Sequence, residues 1–136
     1  MNVKYFFRLR LLKGMFSVAR LSPDAVIPPW VIQVPYTSIT RTPEELSIVY
    51  PETISQKMAK YVSTHIEREW RMFRVLGTLD FSMTGVLLSL IQPLSEASVS
   101  IFAISTYNTD YLMVHSKDNE LALTVLRNAG HSIEIE

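Results

Sequence analysis

From Trp70 onward the apolar residues change their spacing in an order that few folds can satisfy: alternating, helical, alternating, alternating, helical, alternating. Trp70 to Leu76 is expected to be extended, with Phe73 and Val75 on one face, Met72 and Arg74 on the other, and Gly77 ending the run. Val86, Leu87, Leu90, Ile91 and Leu94 then form one stripe of a helix from Thr84 to Ala97. Pro93 lies inside that helix, where it removes one backbone donor and clashes with the carbonyl of residue 89, so a kinked or irregular last turn is expected. Val99 to Thr106 and Asp110 to Ser116 read as a hairpin about Tyr107-Asn108-Thr109. A second helix, Asp118 to Ala129, carries Leu121, Val125 and Leu126 on one face, an acidic first turn, and Gly130 just past its end. Ile133 and Ile135 alternate as a closing strand. This β-α-β-β-α-β order is the split βαβ, or ferredoxin-like, unit.

The first half follows the same plan less clearly. Lys4 to Leu12 and Met15 to Leu21 are candidate strands around Lys13-Gly14, Ser22 to Trp30 is too rich in proline for a long helix, and Tyr36 to Val49 is a hairpin about Thr42-Pro43-Glu44. Beyond Pro51, the spacing of Ile54, Met58, Tyr61, Val62 and Ile66 predicts a helix, with Thr53 and Gln56 as a capping box. The expected fold is therefore α+β: tandem ferredoxin-like units at residues 1–66, with a truncated first helix, and 67–136, each an antiparallel sheet with helices on one face. An offset of 65 positions lays the first hairpin on the second, with Ile39 on Ile104, Val49 on Val114 and Glu45 on Asp110. In the second hairpin Phe102, Ile104, Tyr111 and Met113 compete for burial with Ile101, Ala103, Leu112 and Val114, so something is expected to cover the face away from the helices: the other half-chain or a second subunit.

The composition excludes several function classes. Lysine plus arginine equals aspartate plus glutamate, 13 against 13, so no global field draws the chain to nucleic acid. The basic residues Lys4, Arg8, Arg10, Lys13 and Arg20 fit a half-exposed strand edge. With no cysteine there is no disulfide framework and no thiolate metal site. His65, His115 and His131 lack metal-ligand spacing and are read as structural. Arg8, Arg10 and Lys13 break up the apolar N-terminus, and no run reaches the roughly 18 apolar residues of a membrane span. A cytoplasmic protein without membrane, metal or cofactor is expected. Phosphate loops, nucleophile elbows and paired histidine and carboxylate at recognisable spacing are all missing, so the chain is not expected to be an enzyme.

The best candidate site joins the loop Leu76 to Ser82, the start of the following helix and the polar turn Ser105 to Asp110. The first N–H groups of a helix have no intrahelical partners and favour an anion, so they suit a carboxylate. Asp110 is placed to meet a positive group, and Phe81, Val86 and Ile104 offer apolar walls. Plainer roles exist for the same residues. Asp80 suits a helix cap, Asp110 suits a turn, Ser82 and Thr84 suit any helix start, and Phe81 and Tyr107 suit packing.

Leu79-Asp80-Phe81-Ser82-Met83-Thr84-Gly85, the run from Ser100 to Tyr111, Phe16 to Leu21 and Ser38 to Ser47 resemble the small tandem ACT-domain proteins of bacteria. That family is similar in its ACT units to the regulatory domains of aspartate kinase and to the eukaryotic cytosolic arginine sensors. The resemblance covers about Leu11 to His131 and implies an amino-acid ligand held where the loop before the first helix meets strands of a neighbouring ACT unit. In the arginine sensors the counterparts of Thr106 and Tyr107 offer backbone carbonyls, and that of Asp110 pairs with the guanidinium. The ligand-binding residues this implies are Asp80, Phe81, Ser82, Met83, Val86, Thr106, Tyr107 and Asp110. One departure is Ala97-Ser98, where most members have alanine-glycine before the second strand. The implied function is a regulatory module whose ACT units repack on binding an amino acid. The alternative is an interaction module that pairs with a partner enzyme and binds nothing small. A homodimer or a partner enzyme is the expected assembly. No helix-start loop like that after Gly77 precedes the first hairpin, so no second site is expected there.

Overall fold

In the computed structural model, which describes residues 5–62, 65–77 and 84–136, eight strands and four helices alternate. In chain order they are β1 (Arg8–Leu11), β2 (Phe16–Leu21), α1 (Pro29–Ile32), β3 (Ser38–Arg41), β4 (Leu46–Pro51), α2 (Ser55–Met58), β5 (Ile66–Val75), α3 (Val86–Glu96), β6 (Ile101–Ser105), β7 (Asp110–His115), α4 (Asn119–Asn128) and β8 (Ser132–Ile135). Two compact units result, one nested in the sequence of the other: an inserted unit, Gly14–Trp70, and a flanking unit, Met1–Lys13 with Arg71–Glu136.

The inserted unit orders its strands β3-β4-β2-β5, every neighbouring pair antiparallel. Ala19, Leu46, Ile48 and Tyr50 turn one strand face toward Val31 of α1 and Met58 of α2, making one buried cluster. Both helices are four residues long. The helical spacing read through Ile66 overextends α2: the chain leaves the helix at Met58, and Ile66 opens β5. The Thr53–Gln56 capping box does not form, because the helical stretch opens with a 3-10 turn at Glu52–Ile54 that has no side-chain cap. Periodicity misled here because Val62 is buried by the end of the helical segment without belonging to it.

In the flanking unit β6, β7 and β5 form one side of the sheet, and β1 separates β5 from β8. A four-stranded unit would pair β5 with β8 directly. Here β1 runs antiparallel to β5, with Leu9 opposite Val75, and parallel to β8, with Leu9 opposite Ile133. The division expected at 66/67 differs from these units for that reason, because β1 belongs with the C-terminal half. Its alternation explains the placement: Leu9 and Leu11 enter the core with Phe73, Val75, Leu112 and Val114, while Arg10 stays outside and pairs with Glu134 at 2.6 Å. Met72 and Met113, on the strand faces away from that core, are also buried.

Helix α3 packs Leu90 and Leu94 into the core, and α4 packs Ala122, Leu123 and Leu126. Leu121, expected inside, is exposed, since the inward stripe runs one position off the one read from the sequence. Pro93 neither ends nor breaks α3. The carbonyl it leaves without an N–H donor is that of Ser89, and His131 supplies the replacement: its Nε2 lies 3.0 Å from that oxygen. The Phe7 amide donates to Nδ1 at 3.1 Å, which leaves the proton on Nε2 for Ser89. Both helices close in the same way. Val99 N–H reaches Leu94 O and Ser98 N–H reaches Ser95 O, just as His131 reaches Leu126 and Gly130 reaches Arg127. These paired bonds make a Schellman motif, whose C′ residue takes a left-handed conformation. Gly130 fills that position after α4 with φ 102°, and Ser98 fills it after α3 with φ 60°.

Candidate functional site

The tip of the β6–β7 hairpin is held by a threonine at each end of a four-residue turn. Thr106 N–H and its Oγ1 both donate to the Thr109 carbonyl at 2.9 Å. Thr109 is buried at 3% exposure, and its Oγ1 donates to the carbonyl of Val75 at 2.7 Å. Val75 ends β5, so this bond fixes the hairpin tip against the strand from which the Leu76-Gly77 segment departs. Thr109 was not singled out from the sequence. A buried threonine in a polar turn looks locally like any other turn residue, and only the tertiary partner distinguishes it.

Asp110 opens β7 opposite Ser105 and is half-buried. By strand alternation it shares the face of Leu112 and Val114, the face on which the core helices pack. Val86 is the first residue of α3 and is buried at 7% exposure. Gly85 precedes it as N-cap with φ 75° and, as glycine, brings no side-chain cap of its own to the opening N–H groups of α3. Thr106 has its side chain in the turn, while Tyr107 stands out at 80% exposure. Asp80, Phe81, Ser82 and Met83 lie outside the described residues.

The hairpin of the inserted unit repeats the same turn. Thr42 N–H donates to Glu45 O at 2.8 Å, and Thr42 Oγ1 accepts the Glu44 and Glu45 amides at 3.2 and 3.1 Å. Arg41 pairs with Leu46 as Ser105 pairs with Asp110, so the two hairpins correspond at an offset of 64, not 65. Thr42 matches Thr106, Glu45 matches Thr109 and Leu46 matches Asp110. An offset of 65 matches one isoleucine pair, Ile39 and Ile104, and one valine pair, Val49 and Val114. Apolar identity is cheap in strands, whereas the turn threonines carry the register.

Of the three histidines, His131 is buried and carries the structural role described above. Among the described residues no three histidine, aspartate or glutamate side chains gather where a metal ion could be held, and no helix is long and apolar enough to cross a membrane.

Residues 65–128 match the family model described as ACT domain, and residues 14–57 match a separate model for an N-terminal domain. The crystal structure of protein Atu0741 from Agobacterium tumefaciens is 38% identical, with 97% of this chain and 95% of that chain covered at a TM-score of 0.86. The human cytosolic arginine sensor for mTORC1 subunit 1 is 26% identical over 97 residues, 67% of this chain but 30% of the sensor. The chain thus spans less than a third of that relative's length. The regulatory subunit of aspartate kinase from Thermus thermophilus shares the fold, at 12% identity and a TM-score of 0.63 over 89% of this chain and 96% of that one.

Proposed function

Since this chain belongs to the ACT-domain proteins, we propose that it is a regulatory module that binds an amino acid at the hairpin tip of its flanking unit, and that it is a cytoplasmic sensor and not an enzyme. The observation that carries this reading is the buried bond from Thr109 to Val75, 2.7 Å long. It keeps Asp110 beside the end of β5, the strand that precedes α3 in the chain, and α3 opens after a glycine N-cap. An anionic side chain and a helix N-terminus at one end of a sheet offer opposite charges to a zwitterion: Asp110 for the positive group, the first N–H groups of α3 for the carboxylate. Thr106 and Tyr107 add backbone carbonyls, Val86 adds an apolar wall, and Asp80, Phe81, Ser82 and Met83 complete the proposed set. The name of the arginine sensor supports the amino-acid class, and regulation follows if the ligand favours one packing of ACT units by about 1 to 3 kcal/mol.

Thermal-shift and calorimetric titration with each standard amino acid at millimolar concentration tests the reading. One or a few are expected to raise Tm, by an amount that corresponds to about 2.7 kcal/mol at a hundredfold excess over Kd. Asp110→Ala should abolish the shift. If no amino acid stabilises the chain, the reading fails. The second reading, a docking module, draws on β6, whose only strand partner among the described residues is β7. Its open edge suits pairing with a second copy or with a partner enzyme. A sedimentation coefficient that stays at the monomer value across a wide concentration range would count against the homodimer.

A further inference from the structure

His131 is buried at 4% exposure, and both of its ring nitrogens are committed to backbone groups. Nδ1 accepts the Phe7 amide at 3.1 Å, and Nε2 donates to Ser89 O at 3.0 Å. Its own N–H donates to Leu126 O at 3.1 Å. The ring therefore joins three parts of the flanking unit: the segment ahead of β1, helix α3 and the turn that follows α4.

The bond to Phe7 extends the β1–β8 ladder beyond its last backbone pair. The two strands run parallel from Arg8 opposite Ser132 onward, and Ser132 N–H donates to Phe7 O at 3.0 Å. Gly130, with φ 102°, lies outside the strand, and the imidazole nitrogen takes the place that a strand carbonyl would hold opposite the Phe7 amide. Aromatic rings pack around the bond. Tyr5 stacks on Phe7 at 5.7 Å and Phe7 on His131 at 6.0 Å, while the Phe6 ring occupies the space beside Gly130 where a Cβ would stand.

Only an unprotonated Nδ1 can accept that bond. A proton there turns the acceptor into a donor, sets N–H against N–H, and places a positive charge in a buried position. Among the described residues His131 makes no ion pair that would answer the charge. Arg8 and Arg10 of β1 and Glu134 of β8 alternate to the strand faces away from Phe7, Leu9 and Ile133. Glu96 on α3, Glu120 and Arg127 on α4 and Glu136 past β8 are exposed, and Tyr5 is the other titratable group in the stack. The Phe7 ring, parallel to the imidazole, offers a cation only weak compensation. The bond to Ser89 survives, since Nε2 donates in either state. The break therefore falls at Phe7 alone.

We propose that His131 is an acid-sensitive latch, whose protonation releases residues 5–7 and the first residue of β1 from the start of β8 while the rest of the core stays closed. The device does not depend on the amino-acid reading of the site at Asp110. Histidine is the side chain that ordinarily changes charge between about pH 5 and 8, so mild acidification is the signal the latch reads.

The test is hydrogen exchange of the full chain, followed amide by amide by NMR from about pH 8 to about pH 5 and expressed as protection relative to the unstructured rate. Protection of the Phe7 amide is expected to fall about tenfold or more over the same interval in which the His131 ring resonances titrate, while the Leu9 and Leu11 amides keep theirs. His131→Gln supplies an acceptor and a donor in a side chain that does not titrate, and should hold Phe7 protection constant across the range. His115→Gln should leave the response of the unaltered chain as it is. Four results would overturn the inference: a His131 ring still neutral at about pH 5, Phe7 protection that stays constant while the ring titrates, a loss that follows His65 or His115 instead, or an equal acid-induced loss in the His131→Gln chain.

Discussion

Single residues set the local conformations on which the rest depends. Ser98 occupies a left-handed position, φ 60°, that glycine fills after the other long helix. A side chain there costs roughly 1 to 2 kcal/mol, of which a glycine would return part to the entropy of the unfolded chain. Ser98→Gly is therefore expected to stabilise the protein by about 1 kcal/mol, read as a higher urea midpoint with an unchanged m-value. The reverse holds at Gly130, where an added Cβ would come within 2.5 Å of the Phe6 ring. Tyr50 is nearly fully buried, and burial raises its pKa above the ordinary 10.0, against smaller opposing effects of the Ser17 hydrogen bond and Arg68. Because the folded-state value is the higher one, its contribution is complete below the unfolded pKa and is lost as pH rises through the folded one. Urea midpoints should fall above about pH 10, and Tyr50→Phe should flatten that part of the profile.

Elements show which local signals survive in the folded chain. The stripe on α3 was legible because Leu90 and Leu94 both face the core and the helix is long enough to repeat its period. Pro93 lies inside α3 without ending it. Proline withholds the N–H that Ser89 O would accept, and His131, contributed from just beyond α4, provides the missing donor. That exchange is testable by a double-mutant cycle. His131→Ala should cost about 2 to 4 kcal/mol, since it leaves both the Ser89 carbonyl and the Phe7 amide without partners. Pro93→Ala restores an N–H to the helix. Chemical denaturation should then show the His131→Ala penalty reduced by about 1 kcal/mol in the Pro93→Ala background. An additive cycle would refute the exchange. The hairpins were likewise legible as elements but not in register, because their strands match on apolar residues at several offsets while the turn bonds of Thr42 and Thr106 admit one.

For the whole molecule, the decisive feature is that β1 pairs with two strands, β5 and β8, that lie more than 50 residues away in sequence. Leu9 and Leu11 are almost fully buried in the core of the flanking unit. A fragment of residues 67–136, the second half by sequence alone, is expected to lack a cooperative urea transition, because it exposes the β5 and β8 edges and loses those two leucines. Joining residues 1–13 to 71–136 through a flexible linker should restore the transition. Equal stability of the two fragments would show that β1 is dispensable.

The order of strands and helices, the split βαβ plan, the long α3 stripe and the polar hairpin tip were all determined by sequence, because each is a local pattern of apolar spacing and turn chemistry. Tertiary structure alone decided which unit owns β1, which donor answers Pro93 and what anchors Thr109. The reason is physical: pairings across tens of residues are selected by burial and hydrogen-bond satisfaction in the assembled core, and they leave no periodic trace along the chain.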